Sequence, residues 1–354
     1  MTTQSLPVGS ILNIGGSELT QTLRASLQED FLLENTTSES KTTTRALPTE
    51  LFYTSPSIPL LQSIHNLPDN HQPRDELALL ETHGREIAAQ IPKDCTILDL
   101  ASGTSPAALT LLSHLNTLKT KVSYYALDIN RETLESSIRT LSAKKYKHIR
   151  HHGPWGTLED GKEWLSNHAL TVSPCVPKCI LGLDSLFGRY SPDLLVEELR
   201  SWRALLVPST TDSIFLTLDA RSTPSSLRRT YHDQTHTWEN FIRQGLVASN
   251  ALLGARWYRP EDWVLGGVVD VEGQESASAA FVPAARHVFT VSAVRNVECK
   301  RLGMRIRKGE VIACCEEWKY GVERVEGMVQ EAGMVQKGKW QAPGGGSLGV
   351  FDAG

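Results

Sequence analysis

The sequence has no surplus of basic residues, no paired metal-binding cysteines and no long apolar run. Its formal net charge is −4, which excludes the strongly basic proteins that bind nucleic acid or anionic membranes through charge. None of its six cysteines forms a C-x-x-C pair, and Cys175 and Cys179 have no histidine or cysteine partners at zinc spacing. No apolar stretch approaches the length of a membrane span. We therefore expect reduced thiols, no metal site, and neither a nucleic-acid nor a membrane partner.

Composition and length are those of an ordinary globular protein. Hydrophobic residues make up 40% of the chain and charged residues 21%, which is enough apolar material for a core. A length of 354 residues suits one large domain, or a core with a smaller second domain. Residues 1–10 show no basic segment before an apolar core, so we predict no secretory signal and expect a cytoplasmic location. No motif indicates an obligate protein partner.

The rest of the chain is organised around residues 96–106, TILDLASGTSP. This stretch begins with the short apolar run of a strand that is covered on both faces. Residues 101–105 are all small, so a ligand can approach their backbone at the start of the helix predicted for residues 107–118. A second strand over residues 122–127 ends in Asp128, whose carboxylate is placed to accept both hydroxyls of a ribose. This layout predicts a nucleotide-type site in an open α/β sheet.

The turn itself is not a dinucleotide-binding fingerprint, which requires G-x-G-x-x-G. Pro106 stands where the third glycine of that pattern would pack the helix against the strand. Asp99, at the end of the first strand and followed by a short turn with one glycine, resembles instead the first motif of S-adenosylmethionine-dependent methyltransferases. From this stretch alone, a structural α/β turn without a ligand is an equal alternative.

Five predicted strands favour a doubly wound parallel α/β sheet. After the first two, strands are expected at residues 148–152, 179–183 and 214–218, and four of the five are followed by a helix or a ligand loop. Residues 153–161 form a turn-rich loop at the carboxyl end of the third strand. Loops at that end face the ligand crevice in open α/β sheets.

Nearly the whole chain resembles two related groups of enzymes, the fungal dimethylallyltryptophan N-methyltransferases and the histidine-specific N-methyltransferases of the ergothioneine pathway. The resemblance implies S-adenosyl-L-methionine as the cofactor and a small molecule as the substrate. It rests on the order and spacing of these segments: LFY (51–53), PR (73–74), DLASGTS (99–105), YYALDI (124–129), HGPWGTLEDG (152–161), LDSLFGRY (183–190) and the runs over residues 230–254 and 316–333.

The resemblance also implies the fold and its division. We expect a doubly wound class I S-adenosylmethionine-methyltransferase sheet with a smaller α+β substrate lid. Residues 1–70 and 221–307 would form the lid, and residues 71–220 would form the cofactor-binding core. Residues 308–354 would supply the C-terminal strands and the helix that complete the core.

Seven positions correspond to cofactor-binding positions of these enzymes, although not all of them carry the same residue. Asp128 matches the ribose-binding acid, and Gly103 matches a glycine that lets the cofactor approach closely. Two neighbouring matches fail, because Ala101 replaces a glycine and Ala107 replaces a lysine near the cofactor carboxylate. Trp155 is either a stacking face for adenine or a core residue. The implied cofactor-binding residues are Tyr53, Ala101, Ser102, Gly103, Asp128, Gly156 and Thr157.

The substrate side departs further from these enzymes. Arg189 stands where they have an asparagine that holds the substrate amine. An arginine cannot accept a hydrogen bond from an ammonium group but can clamp a carboxylate; alternatively, it turns to solvent or pairs with Asp184. Cys315 and Glu317 replace the glutamate and serine that read histidine, and strand alternation puts both on one face. The implied substrate-binding residues are Arg189, Tyr231, Cys315 and Glu317.

Methyl transfer to an amine needs a group that takes the proton of the nitrogen. His71, Asp184 and Glu317 are candidates for this base, and the sequence assigns none of them. We expect N-methylation of an amino-acid-derived indole or other aromatic molecule of secondary metabolism. Because of Arg189, the first alternative is O-methylation, or a substrate without a free α-amine. A degenerate cofactor-binding module without catalysis is the second, because of the changes at residues 101 and 107.

Overall fold

The computed structural model describes residues 6–31, 45–100, 105–172, 176–208, 211–220, 223–271, 284–342 and 346–352. The turn over residues 101–104, with the predicted cofactor positions Ala101, Ser102 and Gly103, lies outside the described residues.

Strands and helices alternate through the first two thirds of the chain. In chain order, the strands are β1 (Ile11–Asn13), β2 (Arg45–Ala46), β3 (Cys95–Asp99), β4 (Val122–Ala126), β5 (Ile149–Trp155), β6 (Lys178–Gly182), β7 (Ser213–Asp219), β8 (Trp263–Val271), β9 (Ala285–Ala293), β10 (Val297–Cys299), β11 (Met304–Ile306), β12 (Val311–Lys319), β13 (Val335–Gln341) and β14 (Gly346–Asp352). The helices are α1 (Leu19–Ser26), α2 (Ile58–His65), α3 (Gln72–Ala89), α4 (Pro106–Thr117), α5 (Arg131–Lys144), α6 (Leu158–Val172), α7 (Pro192–Arg203), α8 (Pro224–Tyr231), α9 (Thr237–Leu253) and α10 (Val322–Glu331).

The larger sheet is doubly wound. Within the described residues, its eight strands lie in the order β1-β5-β4-β3-β6-β7-β14-β13. The pairs from β1 to β7 are parallel, whereas β14 runs antiparallel to both β7 and β13. Every residue of β3, β6 and β7 is buried, because helices α3, α4 and α5 cover one face of the sheet and α6, α7 and α10 the other. The predicted doubly wound α/β sheet is confirmed.

A second, smaller sheet stands beside the larger one. Its four described strands lie in the order β2-β12-β9-β8. Buried and half-buried residues alternate along β9, as expected for a sheet with one packed face. That face packs against α8, α9 and a short 3-10 helix, Thr49–Phe52, in a separate hydrophobic cluster. We call this unit, β2, β8, β9 and β12 with α8, α9 and Thr49–Phe52, the lid.

Two strands differ from the division expected from the sequence. β12 lies in the segment assigned to the core, yet it pairs with β9 in the lid sheet. β1 lies in the segment assigned to the lid, yet it pairs with β5 in the larger sheet. This pairing also extends β5 to Trp155, so Gly153 and Trp155 belong to a strand and not to the predicted loop. Local sequence patterns cannot reveal either partner, because both pairings join distant parts of the chain.

Candidate active site

The predicted ribose-binding acid lies at the carboxyl edge of the larger sheet. Asp99 ends β3, and its carboxylate accepts a hydrogen bond from the hydroxyl of Tyr124 on β4. Asp128 follows β4 and is half-buried. The backbone N–H of Asn130 donates to Asp128 Oδ1 over 2.7 Å and fixes the carboxylate at this edge of the sheet. Ligands bind at this edge in open α/β sheets, so the carboxylate is well placed for a ribose.

Asn130, which the sequence analysis missed, joins this corner to the lid. Its side-chain oxygen caps α5 by accepting from the backbone N–H of Thr133 over 3.0 Å. Its amide nitrogen lies 3.4 Å from the carbonyl oxygen of Tyr53 and 3.3 Å from Ser55 Oγ. The predicted lid tyrosine is thereby tied to the loop that carries Asp128. The sequence did carry a signal for Asn130, because asparagine is a preferred N-cap residue and stands two positions after Asp128.

The predicted cofactor-binding residues Gly156 and Thr157 lie directly before α6. Thr157 donates to Asp160 Oδ2 from its backbone N–H over 2.7 Å and from its hydroxyl over 2.8 Å. Trp155 Nε1 donates to the carbonyl oxygen of Ile129 over 3.0 Å, and a Cβ added at Gly16 would meet the Trp155 ring at 2.3 Å. The Trp155 ring is therefore packed by the protein's own chain, as in the core alternative.

The four predicted substrate-binding residues and the predicted cofactor-binding residue Tyr53 converge where the lid meets the larger sheet. They are Tyr53, Arg189, Tyr231, Cys315 and Glu317, and we call them the substrate cluster. The Arg189 guanidinium carbon lies 5.5 Å from the centre of the Tyr53 ring. Glu317 interacts electrostatically with Tyr53, Tyr231 and Cys315 as well as with Arg189. A Cβ added at Gly188 would lie 3.0 Å from the carbonyl oxygen of Trp318, so the 3-10 helix Leu186–Arg189 lies directly against β12.

Electrostatics in the substrate cluster favour neutral phenols and a basic carboxylate. Burial raises the pKa of Tyr53 and of Tyr231, so both hydroxyls keep their protons. Burial also raises the pKa of Glu317, although Lys319 and Arg189 oppose it. Burial alone would lower the pKa of Arg189, but neighbours that are anions when deprotonated, Tyr53 first and then Tyr190 and Glu317, raise it overall. Arg189 is half-buried and turns toward Tyr53 and Glu317, rather than fully to solvent.

Asp184 occupies a strained loop that a buried glutamate supports. Asp184 and Ser185 both have positive φ values, 55° and 48°, which are costly for residues with a Cβ. The backbone N–H of Asp184 donates to both carboxyl oxygens of Glu76, over 3.1 and 2.9 Å, and Thr217 Oγ1 donates to the same carboxyl over 3.0 Å. Burial raises the pKa of Glu76, and the nearby Asp184 carboxyl raises it further. Burial also raises the pKa of Asp184. Sequence reasoning missed Glu76, an acid at an inward position of α3.

His71, the third candidate base, does not join the substrate cluster. It is exposed at the start of α3, where its Nδ1 lies 3.1 Å from the Arg74 guanidinium. Of the three candidates, Glu317 alone belongs to the substrate cluster, and Asp184 lies on the loop that precedes Arg189.

A buried histidine within the lid sheet makes stability depend on pH. His287 is fully buried, its ring stacks on Tyr231, and its Nε2 lies 3.0 Å from His232 Nε2. Burial, with His232 and Arg228 nearby, lowers the pKa of His287 to about 3. The unfolded chain binds a proton near pH 6.5 but the folded chain does not, so stability is complete above that pH and falls below it.

We therefore expect the free energy of unfolding to fall by about 2 kcal/mol between pH 8 and pH 5 through His287. Urea denaturation at the two pH values measures this loss, and His287→Gln should remove most of it. The exposed His71 provides the matched control, His71→Gln. An equal loss in the wild type and in His287→Gln would contradict the assignment.

Two kinds of feature are absent from the described part of the chain. No helix there is both long and apolar enough to cross a membrane. The same residues contain no group of three or more histidine, cysteine or acidic side chains arranged to hold a metal ion.

The order of the larger sheet, its antiparallel strand next to one edge and an acid after the second strand of the core define the class. This is a class I S-adenosylmethionine-dependent methyltransferase. The half-buried Asp128 carboxylate has the chemistry to accept hydrogen bonds from ribose hydroxyls, and the N-terminus of α4 has the polarity that favours a carboxylate. More narrowly, the chain belongs to the family of histidine-specific, S-adenosylmethionine-dependent methyltransferases, whose sequence model matches residues 23–348.

Individual relatives come from fungi. The chain is 30% identical over 298 residues to ergothioneine biosynthesis protein 1 of Neurospora crassa. The aligned region covers 84% of this chain but only 32% of that protein. It thus spans about a third of that relative's length. It is 26% identical over 338 residues to a 4-dimethylallyltryptophan N-methyltransferase of Claviceps fusiformis, covering 91% of this chain and 92% of that one. Among solved structures, a putative methyltransferase from Thermobifida fusca aligns with a TM-score of 0.41 at 14% identity, over 83% of this chain and 87% of that one.

Proposed function

We propose that this protein N-methylates an amino-acid-derived aromatic small molecule similar to dimethylallyltryptophan. The observation that carries the proposal is the pair of opposite charges, Arg189 and Glu317, on facing elements of one cluster. An amino acid presents a carboxylate and an amine on neighbouring atoms. Arg189 would clamp the carboxylate, and Glu317 would receive the ammonium group.

The aromatic part of the substrate fits the lid better than imidazole does. At the position where histidine enzymes use a glutamate, this chain has Cys315. Burial raises the pKa of the Cys315 thiol, which therefore stays neutral and behaves as a small apolar group. The rings of Tyr53 and Tyr231 stand in the same cluster. This supports an apolar aromatic side chain as the group to be recognised.

Each residue has a separate role in the reaction. S-adenosyl-L-methionine supplies a methyl group that its sulfonium already activates, so the protein must mainly orient the nitrogen and exclude water. Asp128 would hold the ribose, with Tyr53 close by through Asn130. The Glu317 carboxylate would take the proton of the substrate ammonium, which leaves the nitrogen lone pair free to attack. Its burial makes it a stronger base than an exposed glutamate.

A comparison of two substrates tests the proposal. The wild type should methylate the amine of 4-dimethylallyltryptophan, and Arg189→Asn should lower kcat/KM by about 30-fold, because a charge-assisted contact of about 2 kcal/mol is lost. For the decarboxylated amine of the same compound, kcat/KM should hardly change when Arg189 is replaced by Asn. Mass spectrometry of the product locates the methyl group.

Arg305→Asn is the matched control, because the Arg305 side chain is 83% exposed. A gain of activity on 4-dimethylallyltryptophan in Arg189→Asn would contradict the carboxylate contact. It would favour the first alternative instead, a natural substrate without a free α-amine.

A further inference from the structure

Lys319 is a buried cation at the junction of the lid and the larger sheet. It ends β12, on the face that carries Cys315 and Glu317, and is 5% exposed. Its Nζ lies 3.1 Å from Asp219 Oδ2 at the end of β7. The same nitrogen lies 3.5 Å from Gln72 Oε1 in the first turn of α3. It also lies 5.9 Å from the centre of the Tyr231 ring, at the end of α8, and interacts electrostatically with that tyrosine.

An ion pair in this place is not explained by stability. Burying an ammonium and a carboxylate costs several kcal/mol in desolvation, and apolar residues of similar size often replace such a pair without loss. The position of the pair is more informative than its presence. One ammonium contacts both sheets and also stands beside two members of the substrate cluster, Tyr231 and Glu317.

We propose that Lys319 is a positioning residue of the substrate site. Its ammonium lies beside Tyr231 and, with substrate bound, would donate to the hydroxyl oxygen of that residue, so that the phenol proton is left to point at the substrate. It also lies beside Glu317 and keeps that carboxylate ionised and able to accept a proton. The inference rests on the proposed function. The proton passes from the substrate nitrogen to a Glu317 oxygen, and the step needs no other reactant.

The charges around Glu317 agree with this role. On its own strand, Lys319 lowers the pKa of Glu317, whereas Glu316 raises it. From the facing 3-10 helix, Arg189 lowers it. Tyr53 and Tyr231 face Glu317 from the rest of the lid, and both keep their protons. Against the burial that favours the neutral acid, Lys319 and Arg189 are therefore the two cations that hold Glu317 in its basic form.

A ligand-free titration tests the coupling. The double variant Lys319→Met/Asp219→Asn removes both charges, so that no buried charge is left without its partner. The matched control is Lys337→Met/Asp352→Asn, which removes a surface lysine–aspartate ion pair between β13 and β14, outside the substrate cluster. Carbon-13 NMR of labelled glutamate carboxyls, with Glu317→Gln for assignment, should show the Glu317 midpoint shifted upward in the double variant and not in the control. An unchanged midpoint in the double variant would overturn the proposal.

Kinetics on 4-dimethylallyltryptophan test the positioning. We expect the double variant to lower kcat about tenfold with little change in KM, and to move the activity profile to higher pH. Tyr231→Phe should add almost nothing in that background, and Lys319→Arg should restore part of kcat. Wild-type kcat and pH profile in the double variant would mean that Lys319 is purely structural. If the wild type methylates no amino acid, the proposed function fails, while the titration still decides whether Lys319 controls Glu317.

Discussion

Glu317→Gln should lower kcat for N-methylation by about a thousandfold and leave the affinity for S-adenosylhomocysteine almost unchanged. The amide keeps the shape and the hydrogen-bonding reach of the carboxylate but cannot accept a proton from the substrate ammonium. Because burial raises the pKa of Glu317, the wild-type kcat should rise with pH as this carboxyl ionises. The variant should lose that rise. Steady-state kinetics on 4-dimethylallyltryptophan from pH 5 to pH 9 measure both effects.

The neighbouring Glu316 provides a matched control on the opposite face of β12. Its carboxylate accepts from Arg286 over 3.3 Å and from Trp318 Nε1 over 3.1 Å, outside the substrate cluster. Glu316→Gln should change kcat less than twofold. If the two variants behave alike, the base lies elsewhere, and Asp184, on the loop before Arg189, becomes the next candidate.

The larger sheet was predictable from the sequence because its central strands are covered on both faces. Continuous apolar runs mark β3, β4, β6 and β7, and each run is separated from the next by a helical pattern. The predicted end of the third strand was wrong by three residues. Nothing local distinguishes Gly153 and Trp155 from a loop, since it is the distant strand β1 that makes them part of the sheet.

The substrate cluster was predictable only in part, and only through resemblance. Family positions pointed to Arg189, Tyr231 and Glu317, whose side chains the fold then brings together. Lys319 was missed because its burial as a charged group depends on the ion pair with Asp219. That residue lies a hundred positions earlier in the chain, at the end of a strand in the other sheet. Glu76 was missed for the same reason. A buried charge looks like any surface charge in the sequence until topology supplies its partner.

Asp128→Ala should weaken binding of S-adenosylhomocysteine by about 100-fold. The variant would lack the two charge-assisted hydrogen bonds that the Asp128 carboxylate makes to the ribose. Together they are worth about 3 kcal/mol in a half-buried setting. Calorimetric titration of the purified protein measures the change. The large effect is expected because the backbone N–H of Asn130 fixes the carboxylate at the edge of the sheet before the ligand arrives, so that little of its binding energy is used for ordering.

Asp160→Ala separates this role from that of a structural acid. Asp160 also lies at this edge of the sheet, but its carboxylate already accepts hydrogen bonds from the N–H and the hydroxyl of Thr157. That variant should lower the free energy of unfolding while changing affinity much less than Asp128→Ala does. Equal affinity in Asp128→Ala and the wild type would contradict the ribose assignment.

If the wild type itself failed to bind, the alanines at residues 101 and 107 would be the changes to revert, and a degenerate module would become the better explanation. Binding that Ala107→Lys strengthens would instead place the cofactor carboxylate at the start of α4, where the dipole of the helix already favours an anion.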